Sequence, residues 1–107
     1  MIYDVDYFIS KFSAIPDSKW GVRKYKNNGK RCALGHCGVT LGKSTEEGEV
    51  LSRLFFDKFE VPITRINDAT NSHKSFKFYR TDALFLGNTP KKRILAALEL
   101  IKAGVSI

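Results

Sequence analysis

The sequence predicts one small α+β domain spanning residues 1–107, with three main helices, a short helix and a small antiparallel sheet or hairpins. Three observations support this fold class. Apolar residues recur at helical spacing in three segments, an Asn-Gly pair marks a tight turn, and apolar and basic residues alternate as in a strand at 76–80. A chain of 107 residues is long enough to bury one hydrophobic core.

The first predicted helix covers residues 4–14 and ends before Pro16, because proline cannot continue a helix. Its apolar stripe consists of Val5, Phe8, Ile9 and Phe12. The basic segment 19–31 follows, and Asn28-Gly29 favours a type I′ turn there, since both central residues of that turn need positive φ. We interpret this segment as a short hairpin or an extended loop.

Four further elements are expected after residue 31. Small apolar residues predict a short helix at 32–41, and Ser44 with Glu47 three positions later forms a capping box that opens a helix at 45–59. Residues 61–66 are expected to be extended, with Asn67-Asp68 in a turn. Thr89 as N-cap and Pro90 at the first helical position open the last helix, 89–103.

The charge distribution points to a polyanionic partner. The net charge is +7, and segment 19–31 contains basic residues, one tryptophan and one tyrosine but no acidic residue. A second basic cluster occupies the first turn of the last helix. Cations there interact unfavourably with the helix dipole, and a bound anion would offset that interaction. The predicted polyanion-binding residues are Lys19, Trp20, Arg23, Lys24, Tyr25, Lys26, Lys30, Arg31, Lys91, Lys92 and Arg93.

A thiol-dependent enzyme is the alternative hypothesis. Cys32 lies at a predicted helix start beside Lys30-Arg31, which would lower its pKa and favour a nucleophilic thiolate. His73 would act as base, or His36 one helical turn away, and Asp68 or Asn67 would orient the base. Against this, a buried Cys32 would be only a small apolar residue of the core. No P-loop, GxSxG, HExxH or dinucleotide fingerprint occurs in the chain.

No metal or cofactor is expected. Cys32, His36, Cys37 and His73 supply zinc-ligand chemistry, but the paired Cys-x2-Cys spacing of a structural zinc site is missing. In a helix, Cys32 and Cys37 would diverge by about 140°. The same divergence disfavours a disulfide between them.

A cytoplasmic location is expected. The chain has no apolar run long enough for a membrane span, and its acidic N-terminus is unlike a secretory signal. Two cysteines are typical of a reducing compartment. The sequence does not indicate an oligomeric state.

The order of several landmarks resembles a family of small uncharacterised proteins of bacteria and their phages. The landmarks span roughly residues 5–103 and are Trp20-Gly21, Cys32-Ala33-Leu34-Gly35, Ile66-Asn67-Asp68 and Thr89-Pro90. Here Ile66 stands where the family usually has tryptophan, and His36-Cys37-Gly38 replaces a more usual run of alanine and leucine. The resemblance implies a fold and no chemistry, since the family has no established activity.

The sequence therefore favours a small, basic, non-catalytic binding protein over an enzyme. Its expected partner is nucleic acid, a phosphorylated ligand or an acidic protein, with no membrane involved. A phage origin would make modulation of a host system a natural role. A purely structural or assembly role is the third hypothesis.

Overall fold

The computed structural model describes residues 2–69 and 86–104. Within these ranges the chain forms helices α1 (Val5–Ser13), α2 (Ala33–His36), α3 (Glu46–Phe59), α4 (Ile63–Asp68) and α5 (Pro90–Ala103). A short 3-10 helix, Asp17–Lys19, follows α1. Helices α1 and α4 pack on α5, and α3 contacts α2, α4 and α5. The largest fully buried side chains include Phe8, Phe12, Leu51, Phe55, Ile66, Ile94 and Leu98.

The predicted α+β fold is wrong, because the described residues contain no β-sheet. Backbone pairing of β type is confined there to isolated bridges, at Trp20–Arg31, Asn27–Lys30 and Thr40–Lys43. The tight turn at Asn28-Gly29 is confirmed, with φ angles of 53° and 77°. Pairing does not extend from this turn, because Cys32 already caps the start of α2. Farther back in the loop, Arg23 has a φ of 69°, which lies outside the strand region. The strand predicted at 76–80 lies outside the described residues.

The segment 61–66, expected to be extended, instead leads into helix α4. Pro62 has extended angles and serves as the N-cap, where its missing N–H costs nothing. Ile63 and Ile66 are three residues apart and both are buried, so a helical turn places them on one face against the core. Burial of this pair outweighs the preference of β-branched residues for strands.

The predicted boundaries of the three long helices agree closely with the structure. Asp4 caps α1 by accepting a hydrogen bond from the Tyr7 N–H at 2.8 Å, and Thr89 caps α5 at the Lys92 N–H. Helix α3 is capped by Thr45, not by Ser44 as predicted. The Thr45 hydroxyl accepts from the Gly48 N–H and donates to the Cys37 carbonyl, so this cap also joins α3 to the end of α2.

Asn67 is buried at the centre of the molecule and joins three segments. Its Oδ1 accepts from the Ala33 N–H at 3.1 Å, at the start of α2. Its Nδ2 donates to the Gly21 carbonyl at 3.0 Å, at the base of segment 19–31. The turn predicted at Asn67-Asp68 is therefore the end of a helix, and its asparagine is an interior polar link.

Arg93 is also buried, with 4% of its surface exposed. Its Nε donates to the Ile66 carbonyl at 2.9 Å, and its Nη2 donates to the Asn67 carbonyl at 2.7 Å. These carbonyls lie in the last turn of α4, where helix acceptors lack intrahelical partners. Arg93 thus caps α4 from α5, and burial lowers the pKa of its guanidinium while Asp68 opposes that shift.

We expect Arg93→Met to lower the free energy of unfolding by about 3 kcal/mol, because it leaves buried carbonyls without charged donors. Urea unfolding followed by circular dichroism measures this loss. Lys92→Met is the matched control, since Lys92 is exposed on the same turn and surface changes usually stay within about 0.5 kcal/mol. Equal stabilities for the two variants would contradict the capping role of Arg93.

A polar cluster joins α1 to α3 on the other side of the molecule. Glu47 accepts hydrogen bonds from the Tyr7 hydroxyl and, at 2.6 Å, from the Lys11 ammonium. Burial alone would raise the pKa of Glu47, but the bonds from Lys11, Tyr7 and Cys37 outweigh it and lower that pKa. The same hydrogen bond to Glu47, with burial, raises the pKa of Tyr7 to about 12.

The lowered pKa of Glu47 makes stability depend on pH. The folded state favours the carboxylate, so its contribution is complete above the ordinary pKa of 4.5 and is lost as pH falls through the folded value. We expect wild type to lose more stability between pH 7 and pH 3 than Glu47→Gln, measured by urea unfolding at each pH. Glu46→Gln, which changes an exposed neighbour, should lose stability with falling pH as wild type does. A Glu47→Gln curve of stability against pH that is parallel to that of wild type would contradict the role of Glu47.

Among the described helices, none combines the length and the apolar character needed to cross a bilayer.

Candidate functional site

Segment 19–31 forms a closed loop, here termed the basic loop. Its base is held by the Arg31 N–H donating to the Lys19 carbonyl at 2.9 Å and the Gly21 N–H donating to the Arg31 carbonyl at 3.0 Å. Its tip is held by reciprocal bonds between Asn27 and Lys30, at 2.8 and 3.0 Å. The loop is therefore fixed at both ends, although it contains no regular strand.

The middle of the basic loop lies directly on α2. A Cβ atom at Gly35 would fall 1.9 Å from the Tyr25 carbonyl oxygen, so only glycine permits this approach. The contact fixes the backbone of residues next to Tyr25. The helix that follows the basic segment therefore needs a glycine at position 35, where the loop contacts it.

A cavity of about 720 Å³ opens between the basic loop, the turn at 40–43 and α4, and we term it the basic groove. Four consecutive loop residues line it, whereas a regular strand would point alternate side chains to opposite faces. The loop departs from strand geometry at Arg23, whose φ is 69°. The lining residues are Arg23, Lys24, Tyr25, Lys26, Cys32, Thr40, Leu41, Thr64, Arg65 and Asp68.

The basic groove is strongly positive. It brings Arg23, Lys24 and Lys26 of the loop together with Arg65 of α4, and Asp68 is the only carboxylate among its lining residues. Concave surfaces lined by one sign of charge concentrate the field and attract counter-ions. Fields of this kind favour anionic ligands.

The N-terminus of α5 lies beside the basic loop. A second cavity, of about 340 Å³, is lined by Lys24, Lys30 and Pro90 among others. Lys24 lines both cavities, so they are neighbours. The structure thus places the start of the second basic cluster next to the first, although Lys91 donates to the Ser13 carbonyl at 3.2 Å.

Two residues predicted to bind polyanions are buried instead. Trp20 is 4% exposed, donates its Nε1–H to the Ile15 carbonyl at 3.3 Å and packs edge-on against Phe12. Arg93 is committed to the carbonyls at the end of α4. Neither side chain is available to a ligand in this structure. Lys19, Lys30, Arg31 and Lys92 are exposed.

The cysteines are buried free thiols. Burial raises the pKa of Cys32, and the backbone N–H groups of α2 that lower it do not compensate. Burial and the hydrogen bond to Glu47 raise the pKa of Cys37. The lowered pKa that the thiol-dependent enzyme requires at Cys32 is absent. Asp68 shares the groove with Cys32, while His73 lies outside the described residues.

His36 is turned to a structural partner. Its Nε2 hydrogen-bonds the Lys19 carbonyl at 3.1 Å, and its ring centre lies 4.9 Å from that of Trp20. Burial, followed by the charges of Arg31 and Lys11, lowers the pKa of the imidazole. No group of three or more His, Cys, Asp or Glu side chains in the described ranges is arranged to hold a metal ion.

Four groove residues, Thr40, Leu41, Thr64 and Arg65, were not predicted from the sequence. Arg65 and Asp68 are three residues apart, so they share a face once residues 63–68 are recognised as helical. Leu41 is 94% exposed at the tip of the turn at 40–43. The sequence signal for that turn was Gly42, but the prediction extended a helix across residues 37–41.

Comparison with protein-family models, with curated proteins and with solved structures finds no match to this chain. The family resemblance suggested by the sequence stays a prediction.

We expect both cysteines of the folded protein to react with iodoacetamide at pH 7.5 at least about ten-fold more slowly than free cysteine, because the thiolate is the reactive form. Mass spectrometry of a time course, with peptide mapping, measures each site separately. Unfolding in urea should restore the ordinary rate at both positions. Fast alkylation of Cys32 in the native protein would instead support the thiol-dependent enzyme.

Proposed function

We propose that this protein binds nucleic acid through the basic groove. One observation carries the proposal: four cationic side chains from two separate elements line a single cavity that contains one carboxylate. Phosphate contacts by lysine and arginine supply most of the affinity in non-specific nucleic-acid binding. The net charge of +7 adds a favourable long-range field.

The non-polar lining of the groove favours nucleic acid over a small phosphorylated ligand or an acidic protein. Tyr25 lies between Lys24 and Lys26 in the chain, and all three line the groove. Proteins that bind nucleic-acid strands commonly combine a positive groove with aromatic side chains on which bases stack. Leu41 adds exposed apolar surface at the rim.

The site of action we propose is the cytoplasm, where nucleic acid is present and thiols stay reduced. Two free cysteines suit such a reducing compartment. We also propose that the protein binds without catalysis, because the thiol that lines the groove, that of Cys32, is buried and has a raised pKa.

Binding of fluorescent oligonucleotides should weaken linearly with salt on a log–log plot, because phosphate contacts release counter-ions. We expect Lys24→Gln with Lys26→Gln to weaken binding about ten-fold at low salt and to reduce the slope by about 1.4 for a single strand. Fluorescence anisotropy at salt concentrations from about 20 to about 300 mM measures both the affinity at low salt and the slope.

The matched control is Lys58→Gln with Lys102→Gln. It removes the same charge, taking the net charge from +7 to +5 as the groove variant does, but neither residue lines the groove. Equal losses in the two double variants would show that only the total charge matters. No binding by wild type at low salt would overturn the proposal and leave an acidic protein as the expected partner.

A further inference from the structure

The basic groove is concave, and this shape bears on which form of nucleic acid it can hold. Proteins that recognise a duplex by its bases insert a convex helix or β-ribbon into the major groove. Here the cations line a cavity, a shape that can admit an unpaired nucleotide but does not insert into a duplex groove. A volume of about 720 Å³ lies within the range of small-molecule sites.

We infer that the basic groove takes an unpaired nucleotide of a single strand, with its base against Tyr25 and the base edge toward Asp68. This inference rests on the proposed function and names its substrate class. The phosphates on either side of the base lie against Lys24, Lys26 and Arg65.

Tyr25 has the placement that a stacking residue needs. Tyr25 lines the groove and is half-buried, so part of the residue is accessible without unfolding of the loop. Its backbone is fixed by the close approach to Gly35. With the backbone fixed before binding, only the side-chain rotation of Tyr25 loses conformational entropy when a base stacks on its ring.

Asp68 is the one groove residue that phosphate would avoid. Its Oδ1 accepts from Asn67 Nδ2 at 2.7 Å, which fixes the carboxylate at the end of α4. A carboxylate accepts hydrogen bonds from base amino groups, and the cytosine N4 amino group is the one it pairs with in known interfaces. Thymine presents a carbonyl oxygen at the same position, which a carboxylate repels. The groove should therefore prefer cytosine to thymine.

The test compares labelled decamers of deoxycytidine and of deoxythymidine with a blunt duplex of mixed sequence, by fluorescence anisotropy at about 50 mM salt. We expect the cytidine strand to bind about ten-fold more tightly than the thymidine strand, and either strand more tightly than the duplex. Asp68→Asn should remove the difference between the two strands, because an amide offers a donor as well as an acceptor.

Two variants at Tyr25 separate stacking from structure. Tyr25→Ala should weaken binding of the cytidine strand about ten-fold or more, whereas Tyr25→Phe keeps the ring and should bind like wild type. Thermal unfolding of both variants shows whether each keeps the stability of the wild-type fold. If Tyr25→Ala unfolds, Tyr25→Leu replaces it as a non-aromatic variant of similar apolar size, with the same expected loss.

The outcomes distinguish this inference from the proposed function. Salt-dependent binding that is as tight for the duplex as for the strands, or unaffected by loss of the Tyr25 ring, overturns the inference and leaves nucleic-acid binding in place. Equal affinity for the two strands in wild type overturns the role of Asp68. Absence of binding to every oligonucleotide overturns both.

Discussion

One buried amide joins the elements that line the groove. Asn67 hydrogen-bonds the start of α2 through Ala33 and the base of the basic loop through Gly21. Its own carbonyl receives the Arg93 guanidinium from α5. A buried polar group of this kind is stable only when each donor and acceptor finds a partner. The network therefore fixes one arrangement of loop and helices, which apolar contacts alone would specify less sharply.

The groove is a consequence of this arrangement. Its two charged sides belong to the basic loop and to α4, and Asn67 lies where the base of the loop meets that helix. The neighbouring residue, Asp68, extends the same network into the groove. Core and surface are thus linked through two successive residues, and the end of α4 supplies the carboxylate of the groove. Arg93, at first sight a member of the basic surface, contributes from inside by capping that end.

The sequence predicted the long helices well and the polar core poorly. Local signals mark helix ends, so Thr89 and Pro90 were sufficient to define the start of α5. The expected sheet failed because the Asn28-Gly29 signal specifies a turn and not the length of the pairing beyond it. The pairing is short because α2 begins at Ala33, two residues after the end of the basic loop.

The candidate site was predicted in part for a similar reason. The concentration of charge in the basic loop was visible in the sequence, whereas its partner on α4 depended on the helical state of residues 63–68. The burial of Trp20 and Arg93 depends on contacts with residues distant in the chain, among them Asn67. A list of basic residues identifies a charged segment, and only tertiary structure separates the cations that face solvent from the one that supports the core.

The contact between Gly35 and the Tyr25 carbonyl sets a limit on how this surface can diverge during evolution. Lysines and arginines of the loop can be exchanged one by one, because their side chains make few demands on the backbone. The length of chain between Gly21 and Gly35 cannot change as easily, since an inserted or deleted residue would separate the carbonyl from the only position that accommodates it. Variation in ligand preference is therefore expected through substitution at fixed length, while insertions accumulate elsewhere on the surface.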